Sequence, residues 1–220
     1  MLLGFACAAR PIHPKAQPPM AGPGPTKSQL RWTTWVVVNT VGDENPPVRF
    51  RFPEPLDSYA GYVRKLQGKL AGDQNLRLFT IKGWFMADIQ DVTLGDPDLD
   101  QSVRNSAELL NGRQFPVSTF TLDSVEGAAD EIVEGASTRV KLRGTLELKG
   151  VAVPLEVDAS FERRAAENGR PQLILKGSFG LEQLQEKFAI TGPGGPDEPA
   201  GNRLVLDLHI TLVHSDPSEM

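Results

Sequence analysis

The sequence predicts an all-β fold, an antiparallel barrel of about eight strands with one short amphipathic helix. Three observations carry this. Several stretches alternate apolar and polar residues with the period of two that a half-buried strand needs. Clusters of Gly, Pro and Asn separate those stretches. A single segment, within residues 89–120, places its apolar residues at helical spacing instead.

The clearest strands form a pair. Val140, Leu142, Gly144, Leu146 and Leu148 alternate with Arg139, Lys141, Arg143, Thr145, Glu147 and Lys149. Beyond a turn near Gly150, Val153, Leu155, Val157, Ala159 and Phe161 alternate with Pro154, Glu156, Asp158, Ser160 and Glu162. One dry face and one wet face on each predict an antiparallel hairpin. Pro154 cannot donate to a ladder and is expected at a strand start or an unpaired edge. Asn168-Gly169 gives the next turn, and Leu173, Leu175, Gly177 and Phe179 continue the pattern. Residues 191–202 read as a Gly/Pro loop. The last strand, residues 203–213, puts Leu204, Leu206, Leu208, Ile210 and Leu212 on one side and His209 on the other.

Earlier in the chain, residues 30–39 are rich in Trp, Thr and Val, which favours a strand. Val48, Phe50 and Phe52 alternate with Arg49 and Arg51. A weaker strand covers residues 62–70, with Gly68 a bulge or a site of close approach. A strong one covers 78–91, with Phe79, Ile81, Gly83, Phe85, Ala87 and Ile89 on one face.

The helix has a legible start. Asp96 can cap it while Pro97 takes the first helical position, where no N–H is needed. Asp98 and Asp100 add negative charge at the positive end of the helix dipole. Leu99, Val103, Ala107 and Leu110 form one apolar stripe, Asn111-Gly112 offers a left-handed stop, and a second strand opens at Phe115. A lone helix between strands reads as a lid or a plug. At about eight strands, a barrel interior is either filled by side chains or holds one small ligand. Alternation does not separate the two.

Composition narrows the function classes. With 40% hydrophobic and 23% charged residues the chain is ordinary for a folded protein, and its net charge of −5 argues against nucleic acid. No G-x-S-x-G elbow, phosphate-cradling Gly loop or metal-ligand spacing is present, so no catalytic residue, metal or cofactor is assigned. The acids Asp88, Asp91, Asp96, Asp98 and Asp100 lack calcium-loop spacing and read as caps and solvated faces. His13, His209 and His214 share no ligand spacing.

Residues 1–29 are read as a signal remnant or lipoprotein-type tether, 30–215 as the barrel domain and 216–220 as a tail. Leu3-Gly4-Phe5-Ala6-Cys7 resembles the lipobox of bacterial lipoproteins, in which Cys7 would be lipidated. A terminal stub is the other reading of the same run. Residues 11–28 are rich in Pro, Ala and Gly and suit a tether.

The central stretch Val92-Thr93-Leu94-Gly95-Asp96-Pro97-Asp98-Leu99-Asp100, then Val103-Arg104-Asn105-Ser106 and Phe115-Pro116-Val117-Ser118-Thr119-Phe120, resembles the YceI-like family of bacterial envelope proteins. Leu146-Glu147-Leu148-Lys149-Gly150-Val151-Ala152-Val153-Pro154-Leu155 matches that family's hairpin, and Gly177-Ser178-Phe179 and the final leucine strand follow in order. The resemblance spans residues 66–213. It implies an extended, lipocalin-like barrel with an apolar channel for a polyisoprenoid or quinone-like lipid. It also implies a non-enzymatic role, periplasmic or anchored to the envelope through the N-terminus. The channel is expected to be lined by Phe85, Leu142, Leu146, Leu155, Val157, Phe161, Leu175, Phe179, Leu206 and Leu208. A filled barrel acting as an envelope interaction module is the alternative.

Overall fold

The computed structural model describes residues 32–39, 45–165 and 169–215, so Cys7, the tether, the C-terminal tail and Asn168 lie outside the described residues. In chain order the strands are β1 (Trp32–Val38), β2 (Val48–Arg51), β3 (Ala60–Val63), β4 (Gln67–Asp73), β5 (Lys82–Asp88), β6 (Val92–Thr93), β7 (Val117–Gly127), β8 (Ser137–Leu148), β9 (Val151–Arg164), β10 (Gln172–Glu182) and β11 (Arg203–Ser215). Helix α1 (Pro97–Asn105) precedes β7, and helix α2 (Leu184–Phe188) follows β10.

Eight of these strands close an antiparallel barrel in the order β1-β4-β5-β7-β8-β9-β10-β11, with β11 returning to β1. The predicted hairpin is the longest ladder, running in unbroken register from Ser137↔Glu162 to Leu148↔Val151. Its turn holds Lys149 at φ 52° and Gly150 at φ 75°, the two left-handed residues that a tight hairpin turn needs. In β7 the register against β8 shifts between Leu122 and Ser124. That bulge lets Leu122 and Val125, three positions apart, both turn into the core.

β11 serves two partners along one edge. Thr211–Ser215 pairs with β1, while Val205–Leu208 pairs with β2. The wall then continues through β3 to the two-residue β6. On the opposite side, the β9–β10 ladder stops at Asp158↔Ser178. Pro154 lies beyond that point, inside β9 yet on a stretch with a free side, which is where its missing N–H costs nothing. Helix α2 fills the parted seam. Leu184 and Phe188 are only 1% and 2% exposed and pack with Leu181 and Ile190.

Several expectations are corrected. Residues 62–70 are two strands interrupted at 64–66, and the stretch 78–91 is a strand flanked by 3-10 turns at Leu78–Thr80 and Ile89–Asp91. Phe79 therefore leaves the inward face: it is 69% exposed, with the Arg77 guanidinium 5.4 Å from its ring centre. α1 ends at Asn105, so Ala107 and Leu110 lie past it in a turn, where Asn111 is left-handed at φ 49°. β7 opens at Val117 rather than Phe115. α2 falls in a stretch that shows no helical signal beyond the apolar pair Leu184 and Phe188.

The end of the barrel away from the helices is solid. Trp35, Phe161, Leu173 and Leu212 fill it, and Leu76, Leu78, Ile81 and Ile132 seal it. Backbone bonds from Leu78 N–H to the Asp130 carbonyl (2.9 Å) and from Ile132 N–H to the Leu76 carbonyl (3.2 Å) tie that seal together.

At the other end, α1 is fixed by Asp100. The Asp96 carboxylate caps the helix, accepting from the N–H groups of Asp98 and Leu99. Asp100 does more than face the helix dipole. It is 4% exposed and accepts from the Thr93 hydroxyl and the Leu94 N–H, each at 2.6 Å. Arg104 reaches it at 3.0 Å and Arg64 at 3.6 Å. Arg104 also donates to the Val92 carbonyl. α1, β6 and the residue after β3 are thus locked by one carboxylate. Burial pushes the Asp100 carboxyl up, but the Thr93 and Leu94 hydrogen bonds and the Arg104 and Arg64 charges outweigh it and hold it below its ordinary value.

Two outcomes follow from that lock. A folded-state carboxyl below its unfolded value of about 3.9 stabilises fully above that pH and loses its contribution as pH falls through the lower folded value. Asp100→Asn leaves two arginines without their carboxylate and is expected to cost about 3 kcal/mol at neutral pH. Urea melts at pH 7 and pH 3 should show the variant's deficit shrinking in acid; a deficit independent of pH would contradict this role.

Candidate functional site

Each inward face changes character along its strand. Toward the sealed end, Val140 and Leu142 of β8, Val157 and Phe161 of β9, Leu173 and Leu175 of β10 and Ile210 and Leu212 of β11 are buried. Toward the helices, Leu146, Leu155, Phe179, Leu206 and Leu208 on those same faces are half-buried. What exposes them is not bulk solvent along the outer wall but a cavity of about 580 Å³ inside the barrel. This volume is in the range of small-molecule sites.

The cavity is lined by β2, β3, β5–β11 and both helices, with the 106–110 turn and residues 190–193 among the segments that complete the wall. Most of the wall is Leu, Val, Ile and Phe. Its polar groups are Tyr59, Ser102, Ser106, Glu108, Ser118 and Thr191. The exposed Tyr59 and Leu99 mark where it meets water.

Glycines keep the lumen wide. Three wall phenylalanines lie against a glycine of a neighbouring strand instead of crossing the space: Phe50 on Gly61, Phe85 on Gly68 and Phe120 on Gly144. A Cβ on Gly68 would sit 2.6 Å from the Phe85 ring and 2.9 Å from the Trp84 carbonyl. Gly68 is therefore a site of close approach within a regular β4–β5 ladder.

Of the expected channel residues, Phe85, Leu142, Leu146, Leu155, Val157, Leu175, Phe179, Leu206 and Leu208 all line the cavity. Phe161 does not. It is 0% exposed in the solid end, where inward-facing neighbours close over it. Alternation cannot tell how far along a strand the lumen reaches. Other wall residues carry weaker sequence signals. Phe50 and Phe52 were legible as an inward pair; Leu99 and Val103 come from the helix stripe; Leu184, Ile190 and Gly192-Pro193 carry no period at all.

Three of the five acids in residues 88–100 have separate structural tasks. Asp88 accepts from the Gln90 N–H, Asp96 caps α1 and Asp100 holds the two arginines. Among the described residues no three His, Cys, Asp or Glu side chains are placed to hold a metal. His209 sits on the outer face, its imidazole pushed down by burial and by the charges of Lys176 and Arg164. Among the described residues no helix is long and apolar enough to cross a membrane.

Gly68→Ala tests how the lumen is kept open. The new methyl meets both the Phe85 ring and a backbone carbonyl, so a loss of roughly 1–3 kcal/mol is expected, with the ring displaced into the cavity. An unchanged denaturation midpoint would contradict that packing.

Comparison with known proteins bears on this architecture. The YceI-like domain model matches residues 45–211. A YceI protein from Campylobacter jejuni superposes with a TM-score of 0.61 at 16% identity, covering 80% of this chain and 94% of that one. BcnA from Burkholderia cenocepacia gives 0.57 at 16% identity, covering 74% and 94%. A polyisoprenoid binding domain from Saccharophagus degradans, implicated in plant cell wall breakdown, gives 0.56 at 11% identity, covering 85% and 100%. A 96-residue stretch is also 35% identical to the adhesion G-protein coupled receptor V1 of Danio rerio, across 40% of this chain but 2% of the receptor. The matched family domain spans more than half of the chain and contains β2 to β10 and most of β11: the chain belongs to the YceI-like family.

Proposed function

We propose that the protein binds one long-chain isoprenoid lipid in the barrel cavity and holds or carries it, without chemical conversion, in the bacterial cell envelope. The observation that carries this reading is the change along each inward face from solid core to hollow, leucine-rich lumen. An isoprenoid tail presents only methyl-studded apolar surface. Its transfer into such a lumen is favourable by about 25 cal/mol per Å² of apolar area before association costs. Polar wall groups gather toward the helix end, so a tail would occupy the leucine-lined depth and leave a head near water. The neighbour from Saccharophagus degradans is itself described as a polyisoprenoid binding domain, which agrees with this use of the fold. A filled-core interaction module would need side chains across the lumen, and the Gly–Phe pairs place them against the wall instead. Envelope location rests on the family, and lipidation at Cys7 would add a tether there.

Mass spectrometry of an organic extract from protein purified out of its native membrane fraction should show a stoichiometric prenyl lipid. An empty extract, with no uptake of added quinone, would count against the proposal. Leu206→Trp should place its indole in the lumen and abolish uptake while keeping the fold. Leu142→Trp and Val157→Trp, in the sealed depth of the wall, should block uptake too but with an overpacking cost of roughly 1–3 kcal/mol. Retained uptake in all three would place the ligand elsewhere.

A further inference from the structure

On the outer wall, the outward residues of β8 and β9 pair opposite charges across the sheet, and one pair lacks its acid. Lys141 lies opposite Asp158 and Arg143 opposite Glu156, with ion-pair contacts of 3.2 and 2.7 Å. Arg139 lies opposite Ser160 instead, and Ser160 has Lys176 of β10 on its other side. We infer that Arg139, Ser160 and Lys176 form a binding site for a phosphate-type oxyanion, which takes the place that a carboxylate holds in the neighbouring pairs. The site lies outside the barrel cavity and does not depend on what fills it.

The groups of this row are available. Arg139 and Lys176 are exposed, and neither makes a hydrogen bond or an ion pair among the described residues; nor does the Ser160 hydroxyl. The acids around them are engaged elsewhere. Glu162 holds the Arg164 guanidinium through both carboxylate oxygens, at 2.6 and 2.7 Å. Lys176 adds a longer-range attraction to Glu162 without an ion pair. Asp158 pairs with Lys141, Glu126 with Arg143 and Asp207 with Arg51.

The field along the row is positive, although the chain carries a net charge of −5. His209 of β11 lies opposite Lys176. Its imidazole is held below its ordinary value first by burial and then by the charges of Lys176 and Arg164. A neighbouring side chain thus feels the same potential that an incoming anion would meet.

Shape and spacing agree with this. Arg139, Lys141, Asp158, Ser160 and Lys176 line one open depression of the outer wall. Adjacent strands lie about 4.8 Å apart, so Arg139 and Lys176 start roughly 10 Å apart with Ser160 midway. Their long side chains can close on a small anion from both sides, the guanidinium with two parallel N–H donors and the ammonium as a point charge. The Ser160 hydroxyl donates from between them. A tetrahedral oxyanion offers three oxygens to these three groups, where a carboxylate offers two.

The test titrates the full chain with sodium phosphate, and with sodium chloride at matched ionic strength, while amide NMR signals are followed. Amides around Arg139, Ser160 and Lys176 should shift together in phosphate, with a Kd on the order of 1 mM, and not in chloride. Ser160→Glu supplies the missing carboxylate; it should fold normally by circular dichroism and bind phosphate at least about tenfold more weakly. Lys176→Gln gives a second reading, with binding weakened at least about fivefold. The same proteins are then sedimented with phosphatidylglycerol-containing vesicles. Sedimentation of the unaltered chain that is lost in Ser160→Glu assigns the oxyanion to a lipid headgroup, and phosphate shifts without sedimentation assign it to a soluble phosphate. No shift in phosphate, equal shifts in phosphate and chloride, or an affinity unchanged in both variants would overturn the site.

Discussion

The molecule depends on how β11 divides one of its edges. A strand inside a closed sheet must satisfy its backbone groups on both sides, because an unpaired ladder buried away from water is expensive. β11 meets this on one edge with β10, from Arg203 to Val213. On the other edge it spends its C-terminal part on β1 and its N-terminal part on β2. The first pairing closes the barrel tightly. The second leads the wall away through β3 and β6 instead of back to β4, so the circumference is no longer fixed at eight strands. The sealed end and the hollow end are two consequences of that one division.

A wall that departs from closure must cover the edges it creates, and each helix covers one. α2 lies over the seam where β9 and β10 part. α1, with the 106–116 turn, bridges from β6 to β7, and the Ile89 N–H to the Pro116 carbonyl ties the two sides at 2.9 Å. The helices differ in what holds them. α2 is held by apolar burial, with left-handed residues at both ends, Gln183 at φ 62° and Ala189 at φ 51°. α1 exposes Leu99 and has only a narrow apolar contact, so its position comes from the Asp100 carboxylate, which two arginines and two hydrogen bonds share. A buried charge is weak evidence for stability but strong evidence for placement, because only one geometry satisfies all its partners.

The strands, their inward faces and the start of α1 were legible because each is set by local chemistry: a period of two, a capping carboxylate, a proline without an N–H. Nine of the ten expected channel residues line the cavity because they share inward faces, and one face supplies both core and lumen. Phe161 shows where that reasoning ends. Leu155 and Phe161 are equivalent in pattern, but one faces open space and the other lies in the core cluster that also holds Leu76 and Ile132, whose assembly follows from long-range closure. The helical pattern overruns the end of α1 because Ala107 and Leu110 keep helical spacing after the chain has left the helix. Alternation puts Phe79 inward because a 3-10 turn breaks the period without a Gly or Pro to mark it. α2 was invisible since five residues hold too little periodicity to be read.

The two halves of the interior also divide the energetics. Side chains around the sealed end have neighbours on every side and hold the barrel together whether or not anything occupies the lumen. Those facing the lumen lack partners on one side and forgo the dispersion contacts that close packing would give them. Filling the lumen with the chain's own side chains would recover those contacts permanently. The Gly–Phe pairs prevent this by laying each ring against backbone. On the proposed reading, an apolar ligand supplies the missing half of the core and stabilises the folded chain by RT ln(1 + [L]/Kd), because the unfolded chain has no such wall to offer. The barrel thus folds on one half of its interior and leaves the other half open.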